Sequence, residues 1–138
     1  MPSITIRLVT MLCFIAIAAQ ACDCIPFPAR EAKKGSEIVF RGTVVGFRNA
    51  EKGEPRVTFH VTRVWKGPVT AEFEMVGLEA DPCFAFPLGL LKLGNEVLVY
   101  ASRQGEPPAY FPRHCDTTLV RDAKDISKLG RGRKPKAN

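Results

Sequence analysis

EIVFRGTVVGF at residues 37–47 and RVTFHVTRVWK at residues 56–66 are the stretches on which the fold reading turns. Both are rich in β-branched and aromatic residues, and in the second Val57, Phe59 and Val61 fall on one face of an extended chain. The insert NAEKGEP between them is polar and carries Gly53 and Pro55, so the two strands are joined as a hairpin. Strict alternation fails at Arg63 and resumes at Val64 or Trp65, which predicts a bulge and strong local curvature.

Outward from this hairpin the same pattern continues. Residues 70–76 set Ala71, Phe73 and Met75 against Glu72 and Glu74, a strand with one solvated face, and residues 96–102 read EVLVYAS, a further apolar strand. Tyr110 and Phe111 begin a short fifth strand that Pro112 stops. About five curved strands with turn signals between them give an all-β chain with short helices. The expected form is a closed or partly open five-stranded barrel of the oligonucleotide/oligosaccharide-binding (OB) type, with a sandwich as the alternative. At the carboxy terminus Asp122 is a capping residue, Asp125 follows three positions on, Ile126 and Leu129 are apolar and Gly130 is a stop, which predicts a short helix. The final RGRKPKAN has no apolar residue but Ala137 and is expected to stay disordered, so the globular domain is 22–120 and the tail 121–138.

Residues 1–21 carry Arg7 and then a run from Leu8 to Ala19 that is apolar except for Thr10. The run is short for a bilayer span and matches a secretory signal. Ala19 and Ala21 provide the small residues required before the cut, so cleavage is expected to leave Cys22 first. A lipoprotein signal would also end at a cysteine, but it favours Leu, Val or Ile where Ala19 stands. The product is then secreted, extracellular or periplasmic. Removing 21 of 138 residues leaves 117, enough for one core and too few for two. Residues 121–138 hold seven Lys or Arg against two Asp, while the whole chain is +6 and Arg7 accounts for one charge, so the globular part is neutral. That distribution argues against a nucleic-acid-binding domain face, since the basic excess sits in the tail. Weak polyanion contact through the tail is expected to fade with salt.

The five cysteines become an even set once Cys13 is assigned to the signal, leaving Cys22, Cys24, Cys83 and Cys115. Four cysteines allow three pairings. Residues two apart on an extended chain lie about 6 to 7 Å apart, at the long limit for a bridge, so Cys22 and Cys24 each reach elsewhere and two pairings remain. In an exported domain of this size structural disulfides are the natural reading.

Cys22-Asp23-Cys24-Ile25-Pro26 is a C-x-C-x-P start. With IVFRGTVVG, VTRVWKGP, Cys83, LVYAS and Cys115 in this order and spacing, residues 22–120 resemble the inhibitory domain of the tissue inhibitors of metalloproteinases and netrin-like modules generally. The resemblance implies a five-stranded OB barrel with two disulfides, Cys22 to Cys83 and Cys24 to Cys115. It also implies that the α-amine and carbonyl oxygen of Cys22 chelate the catalytic zinc of a target protease, at the coordination position that such zinc keeps open. That zinc is the target's own, and no cofactor is implied. Asp23, Cys24, Ile25 and Pro26 would form the contact ridge, flanked by loops at 48–55 and 78–86. An α-amine titrates near 8, so part of it is free to ligate at neutral pH. The chain departs from the family at Asp23, where a small hydroxyl residue is usual and where a carboxylate is costly to bury. It also departs near Lys34, where the partner of a third disulfide is missing, and in lacking the six-cysteine carboxy-terminal subdomain. The implied partner is a zinc metalloprotease, the chain itself an expected monomer, and the rival reading a non-inhibitory netrin-like binding or structural module.

Other chemistry-bearing residues read plainly. His60 lies on the strand face opposite Val57 and Phe59, and His114 adjoins Cys115, so neither has a partner at metal-ligand spacing. Trp65 reads as packing, and the Glu72–Glu74 pair as a solvated strand face. With no nucleophile motif, phosphate loop or acid/base constellation, no enzyme is expected, and Cys22 and Cys24 are too poorly spaced for a redox pair.

Overall fold

The computed structural model describes residues 24–49, 55–77, 82–87, 89–106 and 108–138. The expected signal at 1–21, Cys22, Asp23 and most of the 49–55 insert lie outside the described residues.

Strand β1 (Ile38–Arg48) is the centre of the sheet, paired antiparallel with β2 (Arg56–Lys66) on one side and with β4 (Glu96–Gln104) on the other. Strand β3 (Glu72–Val76) adds to β2, and β5 (Ala109–Pro112) to β4. The two-residue β6 (Thr118–Leu119) pairs with Val97 and Leu98, so the sheet has six strands rather than the expected five. The extra one is too short to alternate and left no mark in the sequence pattern.

Curvature arises where the ladder slips. Val64 and Lys66 face Phe40 and Val39, so Trp65 is an extra residue in β2, and Thr62 is another between Val61 and Arg63. These bulges flank Arg63, where the alternation fails, and a third extra residue, Val45, lies on β1. Each bends its strand and adds twist. The sheet curls into a half-barrel, and its two outer strands approach until the rings of Phe73 in β3 and Tyr110 in β5 lie 5.7 Å apart.

The concave side buries Phe40 with its edge against Phe59 at 5.4 Å and against Phe73 at 5.5 Å, surrounded by Ile38, Val57, Val61, Met75, Val97 and Val99. The convex side carries a second cluster, in which Val39, Leu98 and Tyr100 are covered by Ala29, Ala32 and Leu129. Strand β4 is therefore buried on both faces, which is why EVLVYAS reads as nearly continuous apolar sequence.

Helix α1 (Ala29–Lys34) supplies part of that convex cover and was not foreseen. Six residues are too few for a helical period, although Pro28 before it, Glu31 in its first turn, Lys33 and Lys34 in its last and Gly35 after it are ordinary boundary signals. The expected helix at 122–130 is instead two 3-10 turns, Val120–Asp122 and Ile126–Leu129. The break falls at Asp125, whose φ of 58° is left-handed and cannot continue a right-handed helix.

Beyond Gly130 the chain is laid along the β2 edge rather than disordered. Val64 and Arg133 exchange two backbone hydrogen bonds of 2.9 and 2.8 Å, and Lys136 bridges to Val69 and Ala71 at 3.1 and 2.8 Å. Apolar content carries no trace of this path, because the segment is held by main-chain groups that any side chains leave available. No helix among the described residues is long and apolar enough to cross a membrane.

Candidate functional site

The segment that follows the first described cysteine has no regular structure, yet it is fixed at several points. Cys24 is bonded to Cys115, 91 positions away, with the Cα atoms 5.1 Å apart. Three residues on, the Phe27 amide donates to Asp116 Oδ1 at 2.8 Å. The other oxygen of that carboxylate accepts from Arg113 Nε at 2.7 Å, and Arg113 donates further to the Gly35 carbonyl at 2.8 Å. The Arg113 guanidinium also lies 5.5 Å over the Phe27 ring. Asp116 has only 3% of its side chain exposed, so its charge is tolerable only because both oxygens are paired.

This anchoring leaves apolar side chains in solvent. Ile25 is 79% exposed and Phe27 55%, with Pro26 exposed between them. Phe84 adds a further exposed ring. Ile25, Pro26 and Phe27 thus form a run of exposed apolar residues on an otherwise well-packed domain.

The structure brings together Cys24, Ile25, Pro26, Cys83 and Cys115 at one end of the barrel. Cys83 sits in the 3-10 turn Pro82–Phe84 and shares a cleft of about 320 Å³ with Ile25, Phe27, Arg113, His114 and Cys115. One disulfide, Cys24–Cys115, is formed among the described residues, against an expected two. The expected partner of Cys83, Cys22, is outside them, as is Asp23, and Cys83 is not a free thiol. The far side of the ridge borders a second cleft of about 390 Å³, floored by Leu98 and Tyr100 and walled by residues 26–29 and 122–125. Burial, and then the nearby Asp116 charge, push the Tyr100 phenol up to about 12, so it stays protonated at neutral pH.

The flanking segment at 82–87 is tied to the ridge base by His114, whose Nδ1 donates to the Ala85 carbonyl at 2.8 Å. Phe86 is turned inward, its ring 5.8 Å from that of Phe59. His60 and Glu72 form an exposed cross-strand pair at 3.1 Å, and Glu74 takes Arg48, whose pKa its hydrogen bond and charge raise. The two glutamates thus serve separate surface pairs. Trp65 packs on the convex side and its indole N–H donates to the Gly130 carbonyl at 2.9 Å. Among the described residues no three His, Cys, Asp or Glu side chains converge as metal ligands.

Arg113 and Asp116 are the residues that sequence reasoning missed. Their signal was local: RHCDT places opposite charges three apart around a cysteine expected to be bonded. What this end of the molecule offers is an exposed apolar projection fixed at its base by the Cys24–Cys115 disulfide and by Asp116. No protein-family model and no curated protein matches the sequence.

Proposed function

We infer that the chain is an exported, netrin-like inhibitor that caps the catalytic zinc of a metalloprotease with its mature amino terminus. The observation that supports this reading best is the pairing of exposure with fixation: Ile25, Pro26 and Phe27 are presented to solvent while Cys24–Cys115 and Asp116 hold them in place. A ridge fixed in advance loses little conformational freedom on binding. In this reading signal cleavage after Ala21 frees the Cys22 amine, a Cys22–Cys83 bridge presses that residue against the 82–87 segment, and the amine and carbonyl occupy the open zinc position. The half-barrel is then of OB type, and Asp23 steers the protein toward proteases whose specificity pocket carries a polar or cationic group.

Adding one alanine ahead of Cys22 in the exported protein tests the mechanism. Against a panel of zinc endopeptidases the natural terminus should inhibit at least one, and the extension should weaken that inhibition by about 100-fold or more, since it removes the chelating pair. Equal potency of the two forms sinks the mechanism. A panel in which no protease is slowed favours the second reading, a non-inhibitory netrin-like binding module, to which Asp23 and the missing third cysteine pair already lean.

A further inference from the structure

The cleft on the far side of the ridge is built from three parts of the chain, and each is fixed by contacts of its own. Its floor is Leu98 and Tyr100 of β4, the strand buried on both faces. One wall, residues 26–29, is seated by the Cys24–Cys115 disulfide and by the bond from the Phe27 amide to Asp116. The other wall, residues 122–125, is held where Val120, Ala123 and Ile126 pack against the convex cluster and where the Ala123 amide donates to the Val120 carbonyl at 3.2 Å. A preformed, mostly apolar cleft of about 390 Å³ is of the size at which proteins hold small organic ligands.

The Tyr100 hydroxyl has no task in the fold. Tyr100 is only 3% exposed, and its backbone amide and carbonyl both bond Thr117 Oγ1 at 3.1 Å, yet its hydroxyl makes no hydrogen bond among the described residues. Nor is it sealed in: among the described residues the fully buried side-chain donor or acceptor left without a partner is Arg41 Nε. The small exposed part of Tyr100 therefore includes its hydroxyl, which opens on the cleft that Tyr100 floors. A hydroxyl kept in largely apolar surroundings without a partner costs free energy that the fold does not recover.

The charges around the cleft are sorted by sign. Asp116, Asp122 and Asp125 line it, against one cation, Lys124, that pairs with none of them. The partners that these carboxylates do have, Arg113, Arg121 and Lys128, are not among the lining residues. Carboxylates border the cavity while their counter-charges stand outside it, which favours a cation inside and disfavours an anion. We propose that the cleft binds a small arylalkylammonium, its ring against Phe27, Pro28 and Leu98, its ammonium facing the Asp122 and Asp125 carboxylates, and one N–H donated to the Tyr100 hydroxyl. An alkylammonium is charged at neutral pH, and a phenol can accept through its oxygen. The site is independent of the zinc-capping reading, since it needs neither Cys22 nor Asp23.

The test titrates phenethylamine into the exported protein, following amide shifts at Leu98, Tyr100 and Ala123, with phenethyl alcohol and 3-phenylpropionate as its neutral and anionic analogues. Saturable binding with a Kd of about 1 mM is expected for the amine, and affinities at least about tenfold lower for both analogues. Y100F should weaken the amine by about fivefold and leave the urea midpoint at neutral pH unchanged, because the hydroxyl it removes bonds nothing in the fold. D122N/D125N should lose about tenfold, and E72Q/E74Q, an equal charge change on β3, less than about twofold. The proposal is overturned by no saturation up to about 20 mM amine, by either analogue binding as tightly as the amine, by full affinity in Y100F, or by equal losses in the two carboxamide variants.

Discussion

The amino-terminal ridge and the carboxy-terminal strap are both irregular segments laid on one curled sheet, and they are held by opposite means. The ridge is fixed through side chains, a disulfide at Cys24 and a buried carboxylate at Asp116, and what it exposes is apolar. The strap is fixed mainly through its backbone, paired to Val64, Val69 and Ala71, and what it exposes is charge. A segment anchored by a few strong side-chain contacts fails when one of them is removed. A segment anchored by distributed main-chain bonds tolerates most side-chain changes and fails when its backbone path is blocked.

The comparison breaks most visibly at the disulfide. The double variant C24S/C115S should lose about 4 kcal/mol, because the bridge closes a long loop in the unfolded chain. Urea unfolding measures this, and a loss below about 1 kcal/mol would mean that Asp116 alone seats the ridge.

Releasing each segment separately sharpens the contrast. Asp116→Ala leaves Arg113 and the Phe27 amide without their shared acceptor and should cost about 3 kcal/mol, with faster amide exchange at Phe27 and none at the strap. Gly132→Ala should cost only about 1 to 2 kcal/mol, the penalty for an L-residue at positive φ, and should red-shift Trp65 emission while leaving Phe27 exchange unchanged. Crossed effects, with the ridge responding to the strap variant, would show that the two are one cooperative unit.

The smallest effect at neutral pH is that of Tyr100, which lies under the ridge-side cleft. Its phenol is raised from an ordinary 10.0 to about 12 in the folded protein. The unfolded chain therefore loses this proton first, so the contribution to stability is full below pH 10 and disappears as pH rises through about 12. Urea midpoints should be level up to about pH 9 and then fall, with Tyr100→Phe lacking this part of the fall. Identical alkaline profiles would show that the phenol is not sequestered.

Much of the barrel was legible because its strands are long enough to alternate. Residues 38–48, 56–66 and 96–104 carry eleven, eleven and nine residues of strand, and the break at Arg63 marked the bulges that curl the sheet. At the site, Cys24, Ile25, Pro26, Cys83 and Cys115 were singled out through their spacing and resemblance, and they do gather at one end. Asp116 and Arg113 were not, since a buried ion pair has no period and its residues are ordinary surface types until the fold buries them.

By itself the sequence determined the strand pattern, the charge asymmetry between domain and tail, and the cysteines that could be bridged, because each depends on residue type at fixed local spacing. Only the tertiary structure decided that Asp116 anchors Phe27 and that the two 3-10 turns replace a helix. It alone decided, too, that RGRKPKAN lies along β2. These outcomes depend on backbone groups and charges that are neutral choices locally, and they acquire an energetic preference only when a distant strand or carboxylate is brought within hydrogen-bond reach.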